Sequence, residues 1–99
     1  MNIKIAALHF KADKKLEELI NEKISKLEKF SDQIINAEVT LKVENTDKPI
    51  NKIVDVRLII KGNDLIASKL SNTFESALDH TIEALRKQLT KNKEIVKGL

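Results

Sequence analysis

The sequence predicts an α+β domain: a four-stranded sheet with two helices packed on one face, in the order β-α-β-β-β-α. Three observations carry this expectation. Apolar and polar residues alternate over short segments, which is the period of a half-buried strand. Over two longer segments apolar residues recur at three- and four-residue steps, which is the period of an amphipathic helix. Only two Gly and one Pro interrupt 99 residues, so regular elements dominate.

The first strand covers residues 2–8, with Ile3, Ile5 and Ala7 on one side and Asn2, Lys4 and Ala6 on the other. Asp13 is placed to cap the helix that follows. In that helix Leu16, Leu19, Ile20, Ile24, Leu27 and Phe30 form one apolar stripe. Ala37, Val39, Leu41 and Val43 alternate with Glu38, Thr40, Lys42 and Glu44 as a second strand. Asn45 to Lys52 contains the only Pro and reads as a loop. Val54, Val56, Leu58 and Ile60 alternate with Asp55, Arg57 and Ile59 as a third strand. Lys61-Gly62-Asn63-Asp64 is turn chemistry. Leu65 to Leu70 suits a short fourth strand whose inward face the pattern leaves open. Asn72 followed by Glu75 resembles a loosened capping box. Phe74, Leu78, Ile82, Leu85 and Leu89 then mark a long second helix, from about residue 73 to 94.

A single sheet with both helices on one face buries every apolar stripe at once. The first helix is a crossover, so strands one and two are either parallel neighbours or further apart. The last three strands form an antiparallel meander. Residues 1–94 are expected to be one domain. Gly98 and the fading apolar stripe predict a frayed tail over 95–99.

Composition removes several function classes. Without Cys there are no disulfides and no thiolate metal sites. Without Trp or Tyr, and with three Phe, there is no aromatic platform for stacking single-stranded bases. No apolar run approaches the roughly 20 residues of a membrane span, and the N-terminus lacks a signal-peptide core. The expectation is a soluble cytoplasmic protein. His9 and His80 have no partner at metal-ligand spacing, and no glycine-rich phosphate loop or nucleophile elbow is present. The expectation is therefore a protein that is not an enzyme and uses neither a metal, a cofactor nor a small-molecule substrate.

The formal net charge of +3 is unevenly spread. Residues 1–83 carry 13 basic and 14 acidic side chains, whereas residues 84–99 carry five basic ones and one acid. A basic helix end binds polyanions through many weak phosphate contacts. Its plainer role is to offset the helix macrodipole. Arg86, Lys93 and Lys97 lie on one flank of the second helix's apolar stripe, with Lys87 and Lys91 on the opposite side. On the first helix Lys23 falls only about 20° from the centre of the apolar stripe, a break in the pattern of the sort that marks function. A snorkelling stem is the alternative. Lys26 and Lys29 follow at three-residue steps and walk round the helix toward its C-terminal end. The open sheet face bears Lys4, Glu38, Lys42, Glu44, Asp55, Arg57 and Lys61, mixed signs that predict cross-strand pairing. Ile53 and Ile59 share that face.

Five segments now form a recognisable set. They are Lys26-Leu27-Glu28-Lys29-Phe30, Ala37 to Glu44, Gly62 to Ala67, Thr73 to Asp79, and Leu85 to Lys93. Together, over about residues 1–94, they resemble the ribosome hibernation-promoting factor and ribosome-associated inhibitor family. The resemblance implies a fold similar to double-stranded-RNA-binding domains. It implies binding to the small ribosomal subunit and its rRNA near the decoding centre. Occupancy there blocks mRNA and A- and P-site tRNA and so inhibits translation in stationary phase or stress. The rRNA-binding positions it implies are Lys23, Lys26 and Lys29 on the first helix and Lys87 and Lys91 on the second, with Arg86 and Lys93 as neighbours. Ala84 stands where some relatives are basic. With its end at Leu99, the chain resembles the short form of the family, without a dedicated dimerisation domain.

Two readings stand beside this one. One is a small α+β interaction domain that self-associates through Ile53 and Ile59. The other is a double-stranded-RNA binder that acts outside the ribosome.

Overall fold

The chain begins with β1 (Asn2–Ala7) and crosses through helix α1 (Lys14–Ser25), which tightens into a 3-10 turn over Lys26–Lys29. β2 (Ile34–Val43), β3 (Lys52–Ile60) and β4 (Leu65–Ser71) follow, and helix α2 (Phe74–Lys97) closes the fold. This computed structural model describes the backbone of residues 1–97 and the side chains of residues 1–91. The frayed tail expected over 95–99, like the domain boundary near 94, falls on residues whose side chains lie outside the described ones.

The sheet order is β1-β2-β3-β4. β1 runs parallel to β2, with Ile3 opposite Ala37 and Ile5 opposite Val39. The crossover helix therefore returns the chain to the adjacent position, which settles the alternative left open by the sequence. β2, β3 and β4 pair antiparallel, as the short connections require.

One face of the sheet is buried. Val39, Leu41, Val54, Val56 and Leu58 form a single cluster with Ile20, Ile24 and Leu27 from the first helical segment and Leu78, Leu85 and Leu89 from α2. Each fully buried Leu or Ile side chain contributes about 2 kcal/mol of transfer free energy. The inward face of β4 is carried by Leu65 and Ala67, while Ile66 is 63% exposed.

Four local details depart from the sequence expectation. β2 starts three residues early, and its register slips between Ile34, opposite Ile60, and Asn36, opposite Ile59. Ile35 is the extra residue of this bulge, which lets Ile34 and Ala37 both face inward despite their odd spacing. Val43, expected inward, lies exposed at the far end of β2, beyond the cover of the core. The α2 cap is Thr73 rather than Asn72: its hydroxyl accepts from the Ser76 amide at 3.0 Å. Finally, α1 does not continue as an α-helix to Phe30 but finishes in the 3-10 turn.

Other local signals act as written in the sequence. The Asp13 carboxylate accepts from the Leu16 amide at 2.8 Å and caps α1. Gly62 takes φ +93 in the turn closed by the Asn63 amide and the Ile60 carbonyl at 3.1 Å. His9 adopts φ 67 where the chain leaves β1, and the next residue, Phe10, stacks on Phe74 with ring centroids 5.3 Å apart. This contact joins the loop before α1 to the start of α2.

Candidate nucleic-acid interface

Both helices cover the same side of the sheet, so their outward flanks form one continuous surface. The two helices approach closely enough for Lys23 of α1 to donate to the carboxylate of Asp79 of α2. The buried centre of α1 is Ile20 and Ile24, continued by Leu27, and Lys23 lies on the flank of that arc turned toward α2. Its side chain is 28% exposed. The break in the apolar stripe thus has a local cause: the stem covers the core and the ammonium meets an acid of the other helix.

The 3-10 geometry changes how the next lysines are arranged. Side chains three apart eclipse in a 3-10 helix instead of advancing round the axis. Lys26 and Lys29, both exposed, therefore stand on one side of the turn rather than walking round it. Lys26 is 3.8 Å from Glu22, an exposed pair within one helical turn that holds it only loosely. Lys29 has no ion-pair partner among the described residues.

On α2 the basic residues divide into two sets. Arg86 lies on the same flank as Asp79, two turns further along, and grips Glu83 through two guanidinium hydrogen bonds, of 3.0 and 2.5 Å. That grip lowers the Glu83 carboxyl below its usual range and raises Arg86 above its own. Lys87 and Lys91 point into solvent, about 80° and 120° round the helix from Asp79. Among the described residues neither is ion-paired. Lys93 lies outside the described side chains. Ala84 is half-buried against the core, and the neighbouring Gln88 carboxamide donates to the Ile66 carbonyl at 3.2 Å. That bond adds a polar contact between β4 and the helix that carries Lys87 and Lys91.

On the opposite sheet face two of the cations are held by acids. Lys42 meets Asp55 at 2.6 Å, and Arg57 meets Asp64 at 2.6 Å through its guanidinium. Burial raises the Asp55 carboxyl, but hydrogen bonds from Lys42 and Ser68 together with the Lys42 charge outweigh it and leave it lowered. A depression of about 620 Å³ between β1 and β2 is an open trough flanked by Lys4 and Glu38. Pairing of opposite charges across this face is what the mixed signs predicted. Lys4 and Lys61 of this face make no ion pair among the described residues, so exposed cations without a partner stand here as well as on the helical side.

Sequence reasoning missed the acids of this surface. Glu83 sits three residues before Arg86, a spacing that pairs side chains on a helix and was visible in the sequence. Asp79 gave no such signal, because its partner is 56 residues away. Among the described residues no cluster of His, Asp or Glu could hold a metal ion, and no helix is long and apolar enough to cross a membrane.

Known proteins are similar to this chain in sequence and in fold. The family model described as "Sigma 54 modulation protein / S30EA ribosomal protein" matches residues 3–97. A ribosome hibernation promoting factor of Klebsiella oxytoca is 31% identical over 97 residues, which cover 98% of each chain. One from Pseudomonas putida is 29% identical over 94 residues, covering 95% of this chain and 88% of the relative. A ribosomal subunit interface protein from Coxiella burnetii superposes with a TM-score of 0.80 at 24% identity, over 95% of this chain and 99% of that one. The N-terminal domain of Thermus thermophilus Protein Y also superposes with a TM-score of 0.80, at 16% identity over 92% and 98%. The match runs through every strand and both helices, and the chain therefore belongs to the Sigma 54 modulation protein / S30EA ribosomal protein family.

Proposed function

We propose that this chain is a ribosome hibernation factor that acts by occupancy and makes or breaks no bond. Lys26, Lys29, Lys87 and Lys91 contact rRNA phosphates of the small subunit, with Lys23, Arg86 and Lys93 beside them. The site is the channel near the decoding centre, where the bound domain excludes mRNA and tRNA from the A and P sites. Translation in idle or stressed cells stops for steric reasons, and the place of action is the cytoplasm.

One observation carries the reading. In a chain of this family, Lys26, Lys29, Lys87 and Lys91 stand exposed on the helical side with one loose ion pair among the described residues, while Lys42 and Arg57 of the open sheet face are held by Asp55 and Asp64. Cations on both helices suit a folded RNA surface read by shape, and lysines as point charges position a protein without reading bases. Relatives named as hibernation promoting factors and as a subunit interface protein support the ribosome as the target.

The decisive measurement is sedimentation of the purified protein with small subunits, large subunits and whole ribosomes on sucrose gradients. The expected result is co-migration with small subunits and with ribosomes, and loss of mRNA-dependent tRNA binding at saturation. Migration with neither, or saturation without loss of tRNA binding, overturns the proposal.

A further inference from the structure

Two cations of the proposed interface are already held by acids of this chain. Lys23 donates to Asp79, and Arg86 donates twice to Glu83. The two acids are one turn apart on α2, on the flank that faces α1. Neither is needed to fill the core, since Asp79 is 57% and Glu83 51% exposed. Ion pairs whose acids are this exposed add little to folding. Their effect on a polyanion is direct: they cancel two positive charges and set two carboxylates where phosphate would approach. Such acids lower affinity for every RNA. Discrimination between targets is often built from such a repulsive element beside the attractive ones.

Resting on the ribosomal reading above, we propose that Asp79 and Glu83 are specificity-determining residues that hold Lys23 and Arg86 as neutral pairs. An RNA surface shaped to place phosphates at both positions while Lys26, Lys29, Lys87 and Lys91 are engaged draws those cations out of their pairs. A regular duplex can run along the lysine rows but presents no phosphates shaped to draw out Lys23 and Arg86, and meets the carboxylates instead. The acids thus keep a small basic protein off ordinary cellular RNA.

The test uses the full chain carrying Asp79→Asn with Glu83→Gln. The probes are a blunt RNA duplex of about 16 base pairs without ribosomal sequence and purified small subunits. The variant should bind the duplex about tenfold more tightly at low salt, and its log-affinity against log-salt slope should steepen by roughly 1 to 2. Small-subunit affinity should rise less, so the ratio between the two targets falls. Glu38→Gln with Asp64→Asn makes the same change of net charge on the open sheet face and should leave duplex binding nearly unchanged. The inference is overturned if duplex affinity is unchanged or weaker in the first variant, or if the control tightens it equally. Thermal melting checks folding, and Glu83→Gln alone, within one helix and exposed, keeps the duplex test valid if Asp79→Asn unfolds the protein. Failure of the wild-type protein to bind small subunits defeats the ribosomal reading, whereas the duplex comparison judges the acids separately.

Discussion

Thr81 joins α2 to the sheet: its hydroxyl lies 2.7 Å from the Ala77 carbonyl in its own helix and 3.3 Å from the carbonyl of Val54 in β3. It is the one fully buried polar residue among the described ones. One proton serves two acceptors, and the closer carbonyl takes the stronger share. Thr81→Val keeps the shape and loses only this bond, so stability should fall by about 1 kcal/mol or less. Thr81→Ala also opens a void and should cost more. Urea unfolding midpoints decide it, and a loss larger for Val than for Ala would contradict the packing described.

Salt should weaken small-subunit binding steeply. With about five phosphates neutralised, log affinity should fall against log salt with a slope of roughly −3.5 to −4.5. Filter binding or sedimentation between low and moderate salt measures it. A slope near zero rejects phosphate contacts as the source of affinity.

Charge reversal on the outer side of α2 should separate binding from folding. Lys87→Glu with Lys91→Glu alters two exposed side chains that make no ion pair among the described residues. Small-subunit affinity should drop by at least about tenfold, the equivalent of about 1.4 kcal/mol, with an unchanged melting temperature. Unaltered co-sedimentation would remove both residues from the interface.

Asp55 predicts an acid limb in the stability profile. Its folded-state carboxyl titrates below the ordinary 3.8, so the unfolded chain binds protons more readily as pH falls. The stabilisation is complete above the unfolded value and is lost as pH drops through the folded one. Wild type should therefore exceed Asp55→Asn in urea midpoint near neutral pH, and the gap should close below 3.8. A gap that stays constant from neutral to strongly acid solution would show that the Lys42 and Ser68 contacts do not depend on the carboxylate.

The element order was legible because local period and global topology agree in this chain. Alternation in Val54 to Ile60 and the three-and-four spacing of α1 survive any reasonable packing. Ala67 gave no clear inward face to β4 because a small residue beside the larger apolar Ile66 carries little pattern. Only its position opposite Val56 and beneath α2 decides the matter. The bulge at Ile35 was hidden because a run of two isoleucines hides which residue is extra. The 3-10 finish of the first helical segment was equally hidden: Leu27 and Phe30 at a three-residue step fit either helix type. For the interface, the cations could be read as residue types, but their pairing could not. Lys23 meets Asp79 only after α1 and α2 are laid side by side, and no window of sequence contains both.

The 3-10 turn also gives the surface a common metre. Three residues at a rise of about 2.0 Å separate Lys26 from Lys29 by roughly 6 Å along the axis. Four residues of α-helix at about 1.5 Å separate Lys87 from Lys91 by the same interval. Two combs of equal pitch, cut from different helix types, can follow one sugar-phosphate backbone in step. A single residue inserted into either comb would put it out of phase with the other while leaving every charge in place.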